Sequence, residues 1–112
     1  MNAFEIPGLR FSLPAGGDVA RHRFVSANAD SEGIQATAST AVIGASMNQA
    51  AKGEVLEIAD GIVVVEAAGA VTAGTNVSSD ANGKVTTAGS VVAGIALTGA
   101  TDAGQFVAVK IN

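Results

Sequence analysis

The chain has no cysteine, no tryptophan and no tyrosine, and it carries one histidine and two prolines in 112 residues. Without cysteine there is no disulfide framework, no thiol nucleophile and no thiolate-bound metal or iron–sulfur cluster. One histidine excludes any site built from several imidazoles. Bases are also scarce: six against ten acids give a net charge of −4 and a pI near 4.6. Phosphate backbones and anionic lipid repel such a chain as a whole, so neither nucleic acid nor a membrane is an expected partner. The opening residues, Met1 to Pro7, lack a basic region followed by an apolar stretch and do not read as a secretory signal. The longest apolar runs, Ile62 to Val65 and Val91 to Leu97, are far shorter than the roughly 20 residues of a membrane-spanning helix. A soluble chain is expected.

What is present fits one domain of ordinary size. Twenty-three alanines and 14 glycines make the core thin. Val, Ile, Leu and Phe still supply 29 residues, more than the roughly one-fifth of a chain below which disorder is the rule. Valine outnumbers leucine 14 to 4, threonine contributes 8, and turn residues recur every few positions, which predicts an all-β fold. Whether it closes as a small barrel or packs as a sandwich stays open at this point.

Both prolines and three of the four phenylalanines lie in the first 24 residues. That opening has no 3.6 period, and proline suits extended or edge segments, so residues 1–23 are expected to form an extended N-terminal arm on a β domain of residues 24–112. The arm's apolar side chains, Phe4, Ile6, Leu9, Phe11 and Leu13, together with Pro7, either pack back onto their own domain or dock on a partner. Within the domain, strands are predicted at 23–26, 33–37, 41–45, 54–59, 62–67, 75–78, 84–87, 91–97 and 105–111. In the last of these Val107, Val109 and Ile111 share one face and Lys110 takes the other. Asp60-Gly61 and Asn82-Gly83 each predict a hairpin, because these pairs adopt the positive φ of primed turns. Residues 45–52 could instead form one helical turn. Residues 44–58 and 94–111 both run from a glycine through a polar loop and an Ala and Gly to a Val-containing strand, which suggests two related β units.

No catalytic constellation emerges. His22 lies between Arg21 and Arg23, whose charges disfavour its protonation; a salt-bridged strand start is the better reading of these three residues. Glu54, Glu57, Asp60 and Glu66 lack the ligand alternation of a calcium loop and read as a solvated face. No glycine pattern matches a nucleotide cradle, and Lys84 follows a turn instead of occupying the hairpin tip of a biotin or lipoyl carrier. No enzyme activity, metal, cofactor or small-molecule substrate is expected.

The order of segments RHRFV (21–25), AVIGAS (41–46), AAKGEVLEI (50–58), AGAVTAGTNVSSDANGKVTTA (68–88) and AGIALTGATDAGQFVAVKI (93–111) resembles the tailed-bacteriophage capsid decoration proteins, also called head-stabilising or cement proteins. The resemblance spans Arg21 to Asn112. It implies a virion protein on the outer surface of the head, made in the host cytoplasm, with the major capsid protein as partner and a homotrimer as its form. The family has no catalytic motif to carry over. A minor head, tail or fibre component is the alternative within the same structural class.

Overall fold

Strand-forming residues alternating with tight turns yield nine strands and, among the described residues, no helix. The computed structural model describes residues 3–112, apart from the side chain of Pro7. The strands are β1 (Ile6–Pro14), β2 (Phe24–Ala27), β3 (Gly33–Gln35), β4 (Gly44–Ser46), β5 (Val55–Glu66), β6 (Asn76–Ser79), β7 (Val85–Thr86), β8 (Val92–Ala96) and β9 (Phe106–Ile111). They join into one antiparallel sheet in the order β3-β2-β4-β5-β9-β8-β6-β7, with β1 paired to β5 outside this path. The path is open, ending at β3 and β7.

Two expectations need correction here. Asp60-Gly61 does not end a hairpin: β5 runs straight through it as one 12-residue strand. Gly61 has φ +102, and an added Cβ would strike the Gly8 amide, so this glycine admits the bulge where β1 shifts register between Pro7 and Leu9. Asp60 Oδ1 accepts from the Gly61 amide at 2.7 Å. The helical turn considered for residues 45–52 is also absent; bends, turns and a bridge occupy that stretch after β4. Asn82-Gly83, by contrast, does connect two antiparallel strands, β6 and β7, with Gly83 at φ +75.

The suggested duplication extends to the level of single hydrogen bonds. A shift of roughly fifty residues converts the β1–β5 ladder (Arg10↔Ala59, Phe11↔Ile58, Leu13↔Leu56) into the β5–β9 ladder (Ile62↔Lys110, Val63↔Val109, Val65↔Val107). The isolated bridges come in matching pairs, Ala15↔Gly33 with Ala67↔Val85 and Val19↔Ala50 with Val71↔Ala100. Asn28 Oδ1 accepts from the amides of Asp30 and Glu32 at 3.0 and 2.9 Å. Asp80 Oδ1 does the same for Asn82 and Lys84 at 2.8 and 2.9 Å. His22 at φ 62 stands where the second unit has Gly74 at φ 86. The first unit therefore comprises β1 to β4 and the start of β5, and the second the end of β5 with β6 to β9. β5 belongs to both.

Residues of the opening segment take part in the packing of the domain. Ala15 and Val19 are buried with Val25, Ala50, Leu56 and Ile58 in one cluster, onto which Phe11 and Leu13 pack. This is the core of the first unit. The second cluster gathers Val63, Val65, Val77, Val107 and Val109 with Phe24, Ala45 and Ala59 of the first unit, so it fills the second unit and glues the two together. Each fully buried Val, Ile or Leu contributes roughly 1.5 to 3 kcal/mol, which lets small side chains hold a thin body.

Candidate interaction surface

The extended opening segment is a strand of the fold, and its own register sorts its side chains. Phe11 and Leu13 sit opposite Ile58 and Leu56 and pack onto the first core. At the bulge and beyond it the pattern changes: Leu9 is 59% exposed, Ile6 60% and Phe4 43%. Of the six residues singled out from sequence, two pack inward, three stand in solvent, and the side chain of Pro7 lies outside the description, as do Met1 and Asn2 of the expected arm. Arg10 pairs with Glu57 at 2.8 Å across the same ladder. Among the described residues the edge of β1 away from β5 has no ladder partner, which leaves a row of amides and carbonyls open for a further strand.

A second surface was not singled out from sequence. An open depression of about 940 Å³ is lined by His22, Val64, Val71, Ala100, Gln105 and Phe106, among others. Its wall is fixed by the left-handed backbone at His22: Nδ1 lies 3.3 Å from the Val64 carbonyl oxygen, and the imidazole meets the Phe106 ring edge-on at 5.0 Å. The alternation in residues 105–111 already put Phe106 on the face of Lys110, away from the valines. What sequence lacked was the strand register that brings His22 beside it.

The basic triplet is divided between tasks. Arg23 Nη1 and Lys84 Nζ each lie 3.2 Å from a different oxygen of Glu66, tying the start of β2, the end of β5 and the start of β7. Burial pushes the Glu66 carboxyl up, but the hydrogen bond from Lys84 and the positive charges of Arg23 and Lys84 outweigh it and hold the group below its usual 4.5. Arg23 fulfils the expectation of a salt-bridged strand start, whereas Arg21 is exposed. The four acids grouped by sequence are used separately: Glu54 Oε1 accepts from the Ala51 amide at 2.6 Å, Asp60 holds its own bulge, and Glu57 and Glu66 pair as described. No group of three or more His, Asp or Glu side chains placed to hold a metal ion occurs among the described residues.

This fold has a known counterpart. The structure is similar to the N-terminal base of the head fiber protein gp8.5 of bacteriophage phi29, with a TM-score of 0.75 and 20% identity over 93% of each chain. The fold is thus one used on a phage head. No curated protein matches the chain significantly by sequence. The model of the phage cement protein family matches residues 6–111, and the chain belongs to that family. It is a capsid-associated structural protein, and the sequence resemblance to the decoration proteins is borne out.

Proposed function

We propose that this protein decorates the outer surface of a phage head and stabilises the expanded shell by bridging major capsid protein subunits, as a homotrimer and without catalysis. The observation that carries this reading is the exposure of Ile6 and Leu9 on an open-edged strand, and of Phe4 just before it, in a cement-family chain. An extended capsid segment can add to such an edge through main-chain hydrogen bonds while the apolar side chains enter pockets. Burial of each contributes roughly 1.5 to 3 kcal/mol. A ligand that binds the assembled shell and not its separated subunits stabilises the shell by mass action. Three linked copies raise the effective concentration of each contact, so opening one seam against the outward pressure of packaged DNA requires breaking several.

The test is co-sedimentation with heads of the parent phage lacking the protein. Replacing Phe4, Ile6 and Leu9 together by serine should weaken binding at least about a hundredfold, while Val55→Ser, at a site 67% exposed elsewhere on the surface, should leave it unchanged. Equal binding by the triple variant would remove the docking role from this strand. Failure of the unaltered protein to bind heads would remove the decoration role itself.

A further inference from the structure

We infer that His22 sets the point where the docking strand leaves the sheet: its imidazole takes the Val64 carbonyl that Phe4 would otherwise pair with, which ends β1 at Ile6 and keeps Phe4 in solvent. Backbone groups of alternate residues in a strand point to the same edge. The Glu66 amide donates to the His22 carbonyl at 3.0 Å, whereas the Ala67 amide donates to the Gln105 carbonyl at 2.7 Å, on the edge that β9 uses. The amide and carbonyl of Val64 therefore point to the first of these edges, along which β1 lies. The last pair of β1 is Ile6↔Ile62. One further step of the same antiparallel register would set Phe4 opposite Val64, yet residues 3–5 belong to no strand and Phe4 is 43% exposed.

What stands at Val64 instead is His22. Its Nδ1 lies 3.3 Å from the Val64 oxygen; a carbonyl only accepts, so Nδ1 carries the proton and donates. The backbone fixes the ring in this place, because the His22 amide donates to the Ser46 carbonyl at 3.2 Å while its own carbonyl accepts from Glu66. At φ 62, His22 holds a left-handed conformation that side chains adopt infrequently, and the second unit has Gly74 at the equivalent position. The first unit thus keeps a side chain where the backbone suits glycine, and the bond to Val64 gives that side chain a task. The alternative place for Phe4 is also present. Residues opposite each other in an antiparallel pair project to one face, so a Phe4 paired with Val64 would lie on the face of Val64 and Phe106. The depression on that face is lined by Ala3, His22, Val64 and Phe106, and the imidazole already meets the Phe106 ring there at 5.0 Å. His22 and Phe4 compete for one carbonyl and one aromatic neighbour. With His22 in place, Phe4 stays available to a capsid pocket.

The inference rests on the reading of Phe4 as a docking side chain, but its first test involves no heads. In the unaltered chain the Phe4 amide should exchange with solvent unprotected, as read by nuclear magnetic resonance. His22→Gly, which suits the local φ, should slow that exchange at least about tenfold and bring a nuclear Overhauser contact between the Phe4 and Phe106 rings. His22→Asn puts an amide donor where Nδ1 stands and tolerates the left-handed backbone, so it should leave Phe4 unprotected. His22→Asp, of the same shape without the donor, should behave as His22→Gly does and replaces it if the glycine variant shows no cooperative melting. A protected Phe4 in the unaltered chain or in His22→Asn, or an unprotected one in the folded glycine or aspartate variant, overturns the inference. In co-sedimentation with heads, His22→Gly should bind at least about tenfold more weakly than the unaltered chain. Slowed exchange with head binding unchanged supports the inference and removes Phe4 from docking. Slowed exchange in a protein that never binds heads supports it and defeats only the decoration role.

Discussion

The two units are laid out on one hydrogen-bond plan but are closed differently. The first is covered on its inner face by β1, whose Phe11 and Leu13 are only partly buried. The second is covered by the end of β5, whose Val63 and Val65 are fully buried. The difference follows from position in the chain. The end of β5 pairs with β9 on one edge and meets the His22 segment on the other, where the Glu66 amide donates to the His22 carbonyl, whereas β1 among the described residues has β5 alone. An internal strand is buried on both sides, and its edge counterpart keeps one side for solvent or a partner. Equal backbones thus acquire unequal surfaces, and the surfaces that remain open are the ones to which function is assigned.

The largest expected effect tests the shared plan. Gly44 and Gly94 occupy equivalent places, and a Cβ on either would press on a backbone carbonyl, that of Ala59 or that of Lys110. Because neither carbonyl can move without breaking a ladder, Gly44→Ala and Gly94→Ala should each destabilise the protein by about 3 kcal/mol or more, read from urea unfolding. A neutral result at one of them would mean that the two β4-type strands are not held alike. The next effect tests the difference in closure. Val65→Ala should cost about 2 kcal/mol and its counterpart Leu13→Ala about 1 kcal/mol, although leucine loses more atoms, because its surroundings are partly open to water. Equal or reversed costs would show that β1 closes its core as tightly as β5 does.

The smallest effect concerns the ion cluster that joins the two units, Arg23 of the first to Glu66 and Lys84 of the second. The Glu66 carboxyl is held below its usual 4.5 in the folded protein, so the unfolded chain binds its proton first as pH falls. Its contribution is then fully present above that value and disappears as the pH drops through the lower, folded one. Glu66→Gln should therefore lower stability at pH 7 by about 1 kcal/mol and flatten the loss of stability in acid below pH 4.5. Parallel pH profiles for the two proteins would assign no role to the cluster.

Much of this architecture could be read from particular residues. Val107, Val109 and Ile111 announced their strand and its buried face, Asn82-Gly83 its turn, and the paired Gly-to-Val segments the two units. Asp60-Gly61 misled because a glycine at positive φ serves a hairpin and a bulge equally well, and the choice between them depends on what lies beside the strand. The opening segment was legible as extended, with its apolar side chains either packed on the domain or docked on a partner, and only the tertiary structure separates Phe11 and Leu13, which pack on the core, from the exposed Ile6 and Leu9.

Composition and pattern alone determined that this is a cysteine-free, acidic, all-β chain with two similar halves, since those properties follow from residue type and local spacing. The tertiary structure decided which apolar residues are core and which are surface. That outcome depends on which strands lie on either side of each residue, and contacts between β1, β5 and β9 join positions too far apart in the chain for any local pattern to encode.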